Sequence, residues 1–195
     1  MTMAGAMAKT DRQIDIDDLV LKARTEADAL GRLYELYYER IFRFCVYRLF
    51  SKDAAEDVTS TVFLAVAKRI RTFPGRTEED FRNWLYAIAA NNANAYIRKT
   101  SRRNQLLQHA AASMTDNCTD HSVELDWPML YAAILKLKPK YQTIITLRFF
   151  EKLDFEQIGK IINTRPATVR VTLHRVLKKL RNHLQTVIDG EKQNV

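Results

Sequence analysis

The side chains best suited to chemistry lie between residues 153 and 181, where a basic segment follows a short apolar one. Hydroxyl and cationic groups recur along it, and such groups donate hydrogen bonds to anionic groups and to the edges of bases. The residues that we single out are Arg165, Thr168, Arg170, Thr172, Arg175 and Lys179. Their chemistry is non-covalent recognition of an anionic partner.

The same stretch carries the signals of two helices joined by a tight turn. Asp154 and Gln157 have the spacing of a capping box at the start of the first helix. Asn163 tolerates the left-handed conformation of a turn, and Pro166 suits the first turn of the second helix. Gly159 is costly inside a helix and indicates that another helix packs closely there. The pattern predicts a DNA-binding helix-turn-helix, and an ordinary hairpin with a solvated basic face is the alternative.

Composition favours an all-α protein with an anionic partner. The chain has 195 residues, of which 47% are hydrophobic and only 5 are Gly and 4 Pro. This content is enough for a packed core, and apolar residues rarely alternate as they do in a half-buried strand. The formal net charge is +8 and the sequence pI is about 9.5, which suits binding to nucleic acid.

No set of residues has the spacing of a catalytic, metal or cofactor site. The chain has two cysteines, Cys45 and Cys118, and four scattered histidines. We therefore predict no cofactor, no metal and no enzyme activity, with Cys45 as a buried free thiol and Cys118 as a spectator. No segment is long and apolar enough to span a bilayer or resembles a secretory signal, so we expect a cytoplasmic protein without membrane insertion.

The chain divides into two helical units and three polar segments. We expect a flexible tail at 1–15, a helical domain at 16–103, a flexible linker at 104–126, a second helical domain at 127–189 and a tail at 190–195. The linker assignment follows from a shift to Gln, Ala, Ser, Thr, Asn and Asp, and its start has helical character. In the first domain we expect helices at 16–23, 26–50, from 51 and at 81–103.

The first domain also carries polar groups that a core does not need. Glu56 and Asp57 form an acidic spot near a helix start, where the helix macrodipole alone could explain them or another protein could dock. Asn83 and Asn91 lie in a predicted helix, although Asn is a poor helix former. The basic residues among these polar groups are Arg76 in a loop and Arg98, Lys99 and Arg102 at a helix end. Cations are favoured at a helix C-terminus in any case.

Two stretches together resemble the extracytoplasmic-function group of bacterial RNA polymerase sigma factors. Leu33-Tyr34-Glu35, Ala55-Glu56-Asp57-Val58 and the run from Phe81 to Asn91 resemble sigma region two, with a fairly specific Trp-Leu-Tyr-x-Ile-Ala-x-Asn string. Residues 137–184, with Thr168-Val169-Arg170 and Leu173-His174-Arg175, resemble region four. The resemblance covers nearly the whole chain apart from the tails and the linker, and it implies a region-two bundle and a region-four helix-turn-helix.

The resemblance implies core RNA polymerase and promoter DNA as partners. Region two would dock on the clamp of the largest polymerase subunit through Glu56, Asp57 and Ser60. The loop 72–80 and the following helix would engage the minus-ten element, where a base leaves the stack. The residues assigned to that element are Arg76, Asn83, Asn91, Arg98, Lys99 and Arg102.

Region four would bind the polymerase flap and read the minus-thirty-five element with Arg165, Thr168, Arg170, Thr172, Arg175 and Lys179. Of these, Arg170, Thr172 and Arg175 would lie nearest the bases. The acidic linker would thread into the polymerase, and an anti-sigma protein is a further candidate partner.

The chain departs from the family pattern in both regions. Ser60-Thr61 replaces a common Gln-Glu, which weakens the expected polymerase contact. In the predicted minus-ten helix, Ala87, Ala90 and Ala95 replace residues that are often basic or polar. In region four, Arg165 and Val171 replace small polar residues, so the promoter sequence does not follow from the family.

Two other classes of protein compete with this reading. A stand-alone helix-turn-helix regulator would bind an operator without polymerase, usually as a dimer, but no second apolar face for dimerisation is evident. An enzyme acting on nucleic acid would need catalytic carboxylates or metal ligands, and no such set can be assembled from the sequence.

Overall fold

The computed structural model describes residues 15–110 and 128–192. It describes the side chains of all these residues except 102–110, 128–129, 131–132 and 183–192. The N-terminal bundle comprises α1 (Ile16–Lys22), α2 (Ala27–Leu49), α3 (Lys52–Arg69), a 3₁₀ turn (Ile70–Thr72) and α4 (Glu78–Ala110). The C-terminal bundle comprises α5 (Pro128–Leu135), α6 (Pro139–Ile145), its π-helical continuation (Thr146–Phe150), α7 (Phe155–Ile161) and α8 (Pro166–Lys192). The prediction of an all-α protein with two helical units is confirmed.

The starts of α1 and α3 are set by side-chain caps. Asp15 accepts hydrogen bonds from the amides of Asp17 and Asp18 and so satisfies donors that the first turn leaves free. Ser51 caps α3 by accepting from the Ala54 amide. The helix expected from residue 51 therefore begins at Lys52, with Ser51 as its cap.

Helix α4 is longer at both ends than the sequence indicated. It begins at Glu78 and not at Phe81, because Asp80 accepts hydrogen bonds from the amides of Arg76 and Thr77 and thereby closes the preceding turn. These bonds also lower the pKa of Asp80. The helix then continues to Ala110, into the segment 104–126 that we expected to be a linker, which confirms its helical start. The rest of that segment, with Cys118, lies outside the described residues, as do 1–14 and 193–195.

The helix-turn-helix forms as its local signals predict. Asp154 and Gln157 make both hydrogen bonds of the capping box at the start of α7. Asn163 has a φ of 49°, in the left-handed region that the turn requires. Pro166 is the first residue of α8. The close approach expected at Gly159 exists, although the neighbour is the turn itself: a Cβ there would lie 2.6 Å from the Thr164 carbonyl oxygen.

The two bundles pack against each other, and their buried apolar side chains form one continuous cluster. Helix α4 contacts α6 and α7, and α2 contacts the turn Thr146–Phe150. Tyr47 stacks on Phe150 across this boundary with ring centroids 4.1 Å apart. Cys45 is fully buried, as predicted, and burial raises the pKa of its thiol to about 11. The direct contact between the bundles was not predicted.

Gly159→Ala tests the close approach in the helix-turn-helix. The new methyl group would meet backbone, which cannot rotate away, so we expect a loss of about 1–3 kcal/mol. Thermal unfolding should report a fall in Tm of roughly 2–4 °C per kcal/mol.

The matched control is Gly31→Ala in α2, where a Cβ meets nothing within 4 Å. That change should stabilise the protein by about 0.5–1 kcal/mol because alanine is the better helix former. Equal shifts in Tm for the two variants would contradict the packing described here.

Candidate nucleic-acid and protein interfaces

Helix α8 has a buried side and an exposed basic side. Its buried stripe consists of Val169, Leu173, Val176 and Leu180. Four of the predicted DNA-binding residues recur at spacings of four and three and so share one face beside that stripe: Thr168, Thr172, Arg175 and Lys179. Thr172 is half-buried and the other three are exposed. This face offers two hydroxyl groups and two cations to a partner.

Arg170 lies on the other side of α8. Residues two apart on a helix differ by about 200°, so Arg170 and Thr172 point in nearly opposite directions. The Arg170 guanidinium carbon is 5.2 Å from the centroid of the Phe155 ring of α7. Arg148 also lies over that ring, at 4.9 Å. The structure therefore separates Arg170 from Thr172 and Arg175, with which we had grouped it.

The direction opposite the buried stripe of α8 belongs to residues that we had not assigned to the site. These are Val171, His174 and Lys178, and the assigned Arg175 lies beside them. Val171 is 49% exposed, which is unusual for an apolar side chain and places it at the centre of the outward face. Counting about 100° per residue from the apolar stripe would have identified these positions from sequence.

The turn between α7 and α8 borders a cavity of about 460 Å³. Its lining includes Lys160, Asn163, Thr164 and Arg165, and Pro166 at the start of α8. Arg165 is exposed here, just before the helix. Two cations beside a helix N-terminus suit an anion such as a backbone phosphate.

In the N-terminal bundle, the loop between the 3₁₀ turn and α4 rests on an aromatic stack. Phe73 stacks on Trp84 with centroids 4.5 Å apart, and both rings contact Phe81. Gly75 is enclosed by this arrangement, since a Cβ would lie 2.3 Å from the Phe73 ring and 2.5 Å from Asp80. The loop is thus held in one shape, with Arg76 exposed.

Helix α1 and the turn that follows it hold the same loop from the other side. The Arg24 guanidinium donates a hydrogen bond to the Gly75 carbonyl oxygen. Asp17 accepts from the Glu78 amide at 2.5 Å, and Tyr37 donates to the Glu78 carboxylate at 3.0 Å. Sequence reasoning missed Arg24 and Asp17 because they lie more than fifty positions before their partners.

The predicted minus-ten residues of α4 are divided between surface and interior. Asn91 and Arg98 are exposed and, seven residues apart, lie on the same side of the helix. Lys99 is exposed but points about 100° away from Arg98. Asn83 is only 7% exposed, and its Oδ1 has no hydrogen-bond partner among the described residues. The side chain of Arg102 lies outside the described part.

Helix α3 presents an acidic and apolar face. Glu56, Asp57 and Ser60 are all exposed there, and Leu64, one turn further on, is 56% exposed. An aromatic group borders these residues: Phe63 packs against Tyr34 and Tyr38, with centroid distances of 4.8 and 6.2 Å. Exposed apolar surface beside carboxylates is typical of a site for another protein.

The boundary between the bundles contains a buried cation, Arg48 of α2, which is 1% exposed. Its guanidinium donates to Asn94 Oδ1 of α4 at 2.7 Å, to the Pro139 carbonyl at 2.8 Å, to Thr143 at 3.3 Å and to Gln142 Oε1. Gln142 is held in place because its amide nitrogen donates to two carbonyl oxygens, those of Leu135 and Leu137. Burial lowers the pKa of Arg48 to about 10, so the group stays charged at neutral pH.

Glu151 and Lys160 of the C-terminal bundle make further polar contacts with the N-terminal bundle. Glu151 accepts a hydrogen bond from Tyr86 and lies 3.8 Å from Arg43, and burial raises the pKa of this carboxyl. At the edge of the boundary, Lys160 of α7 contacts Glu79 of α4 at 2.9 Å.

Within residues 15–110 and 128–192 no group of His, Cys, Asp and Glu side chains could hold a metal ion. Among the described helices, none has the length and hydropathy needed to cross a membrane.

The fold and surfaces are those of a helix-turn-helix protein with a second helical bundle. A family model of sigma-70 region 2 matches residues 33–103, and a model of sigma-70 region 4 matches residues 128–180. The chain belongs to the sigma-70 family of RNA polymerase sigma factors and to its extracytoplasmic-function (ECF) group.

Relatives of known name support this assignment. The chain is 32% identical over 171 residues to the ECF RNA polymerase sigma factor BldN of Streptomyces coelicolor. This match covers 84% of the chain and 63% of the length of BldN. It is 28% identical to the ECF RNA polymerase sigma factor SigW of Bacillus subtilis, covering 82% of this chain and 91% of SigW.

Two solved structures share the fold. CnrH, in complex with the cytosolic domain of CnrY, aligns with a TM-score of 0.65 and 16% identity over 88% of this chain and 98% of its own. RpoE, in complex with the anti-sigma factor NepR from Bartonella quintana, aligns with a TM-score of 0.59 and 16% identity over 80% of this chain and 96% of its own.

Arg24→Ala tests whether the turn after α1 holds the loop before α4. Loss of the hydrogen bond to Gly75 should speed hydrogen exchange at the Arg76 and Thr77 amides by about tenfold, the equivalent of one hydrogen bond. Exchange followed by NMR measures this directly.

Lys22→Ala is the control, since Lys22 is the last residue of α1, two positions before Arg24, and pairs with Asp18 at the surface. Equal exchange rates at the loop amides in the two variants would show that Arg24 does not hold the loop.

Proposed function

We propose that this protein binds core RNA polymerase and directs it to promoters, with the N-terminal bundle acting on the minus-ten element and the C-terminal bundle reading the minus-thirty-five element. The observation that carries the proposal is the exposed basic face of α8 on a helix-turn-helix that follows a region-2 bundle. Its role is non-enzymatic, and transcription places its site of action in the cytoplasm.

The first experiment is a titration of the purified protein against core RNA polymerase at near-physiological salt, read by co-elution. The proposed function requires stoichiometric binding at sub-micromolar concentration. Absence of binding, combined with tight binding to a duplex by the protein alone, would favour a stand-alone regulator instead.

Polymerase docking is assigned to the face formed by Glu56, Asp57, Ser60 and Leu64, with the clamp of the largest subunit as its partner. The two carboxylates supply charge complementarity for a basic partner, and the exposed Leu64 supplies apolar area. Ser60 is too short to reach far across an interface, so the acidic pair carries more of this contact.

Minus-ten binding is assigned to Arg76 in the loop and to Asn91, Arg98, Lys99 and Arg102 on α4. A rigid loop held by aromatic stacking and by α1 can receive a base that has left the duplex, because no ordering cost then falls on binding. The cations along α4 would hold the strand backbone. Asn83, at 7% exposed, is not placed to contact DNA in this structure.

Minus-thirty-five reading is assigned to the outward face of α8. Arg175 is central, and Thr168, Thr172 and Lys179 flank it on one side. His174 and Lys178 join the set because they share the direction opposite the buried stripe. Arg165 is placed for a backbone phosphate, and Arg170, held over Phe155, is also better placed for a phosphate than for a base. The remaining surface of the C-terminal bundle is the candidate for the polymerase flap.

An anti-sigma protein is a further proposed partner. The solved structures of CnrH and RpoE that share this fold both contain a bound second protein, CnrY in one and the anti-sigma factor NepR in the other.

Glu56→Lys combined with Asp57→Lys tests the docking face. Reversing two exposed charges should abolish polymerase binding, because the new lysines would repel the basic partner surface. The circular dichroism should stay unchanged. Co-elution with core polymerase is the measurement.

The matched control is Asp28→Lys with Glu35→Lys, which makes the same charge change at exposed positions of α2. If the first variant retained the wild-type affinity for polymerase, the docking site would lie elsewhere.

Arg175→Ala tests the reading face of α8. Removing a base contact worth about 1–3 kcal/mol should lower promoter binding by the holoenzyme by about 5- to 150-fold. Run-off transcription and footprinting on a cognate promoter measure the loss.

Arg181→Ala, which removes an exposed cation further along the same helix, serves as the control. A smaller loss for Arg175→Ala than for Arg181→Ala would remove Arg175 from the reading face.

A further inference from the structure

Val171 is an apolar side chain in the middle of the basic outward face of α8. It is 49% exposed. It follows the buried Val169 by two residues and so points about 200° away from it around the helix. Ala167, one turn earlier on the same side, is also exposed. Neither Ala167 nor Val171 belongs to the apolar cluster that packs the bundles, so the packing of the fold does not explain an exposed valine at this position.

The helix around Val171 supplies cations and no carboxylate. His174, Arg175 and Lys178 lie one or two turns further along the outward face, and all three are exposed. The sequence of residues 166–188 contains no Asp or Glu. A partner that covers Val171 must therefore bring anions for these cations and an apolar group for the valine. DNA supplies both within one groove, because phosphates flank the base edges.

The chemistry of valine selects the feature of a base pair that Val171 can recognise. The side chain has no hydrogen-bond donor or acceptor, so it gains only by burying apolar surface. The apolar group that a base pair presents in the major groove is the C5-methyl of thymine. A β-branched side chain in a helix also keeps one strongly preferred rotamer, so the contact costs little side-chain entropy.

The position of Val171 in α8 allows such a contact. Val171 is the sixth residue of the helix, and a recognition helix places its N-terminal residues against base edges. A valine is short, so the helix backbone must come close to the bases for its methyl groups to touch one. The small Ala167 on the same side permits this close approach, and the longer Arg175 one turn later can still reach a base or a phosphate.

We propose that Val171 contacts the C5-methyl group of one thymine in the minus-thirty-five element and makes the protein prefer a T·A pair at that position. The resemblance to the family places a small polar residue here, which would form a hydrogen bond instead, so this preference belongs to the present chain. The inference rests on the proposed function, because it assigns one base within the element that α8 reads.

Replacement of thymine by uracil tests the contact, since uracil lacks the C5-methyl group and keeps the hydrogen-bonding groups of thymine. Promoters are first selected by the holoenzyme from a duplex library randomised over both elements. Each thymine of the selected upstream element, on either strand, is then replaced by uracil, and holoenzyme binding is measured by footprinting. At one thymine the wild-type affinity should fall about fourfold, the loss expected when one CH₂-sized group is no longer buried.

Val171→Ala completes a double-mutant cycle with the uracil substitution. Alanine is the better helix former and the site is exposed, so the variant should stay folded by circular dichroism. It should bind the thymine duplex about fourfold more weakly than the wild type, and uracil at the same position should then cost nothing further. Leu177→Ala is the matched control: Leu177 is 39% exposed on the same helix but points about 120° away from Val171. This control should keep the full uracil effect.

The outcomes distinguish this inference from the proposed function. If the holoenzyme selects promoters but uracil has the same effect with the wild type and with Val171→Ala, or no effect at any position, Val171 does not read a methyl group. If Val171→Ala weakens binding to core polymerase and leaves the uracil effect unchanged, Val171 belongs to a protein contact and the inference is overturned. If the wild-type holoenzyme selects no sequence at all, the proposed function fails and the assignment of Val171 fails with it.

Discussion

A buried guanidinium holds the two bundles of this sigma factor together. Desolvating such a cation costs several kcal/mol, and each hydrogen bond to a charged group returns about 1.5–3 kcal/mol. The four bonds of Arg48 therefore offset the cost without a large surplus. The continuous apolar cluster adds to the contact, and the ring of Tyr47 on Phe150 extends it.

The N-terminal bundle keeps its proposed roles on different faces. The acidic and apolar face of α3 stays open to solvent with the bundles packed, since Glu56, Asp57, Ser60 and Leu64 are all exposed in the structure. The loop before α4 is held by Arg24, Asp17 and the Phe73–Trp84 stack, all of which belong to the N-terminal bundle. Only the Glu79–Asn94 side of α4 is covered.

Sequence reasoning succeeded where the determinants are local. The capping box at Asp154, the left-handed Asn163 and Pro166 at the helix start depend on neighbours within a few residues, and each was confirmed. The start of α4 was placed three residues too late, because Asp80 closes the preceding turn through the amides of Arg76 and Thr77. The face of α8 was assigned in part, because its outward direction is defined by the apolar stripe and not by residue type.

The sequence by itself determined the helical class, the two units, the helix-turn-helix and the family. These follow from periodicity, caps and motifs whose physical causes act over one or two turns of helix. Only the tertiary structure decided that Arg48 is buried, that Asn83 is covered and that Arg24 holds a loop 51 residues away. An arginine or asparagine on a helix is usually exposed, and its burial depends on which surfaces meet across the chain. That choice is made by the summed packing of distant segments, which no local pattern records.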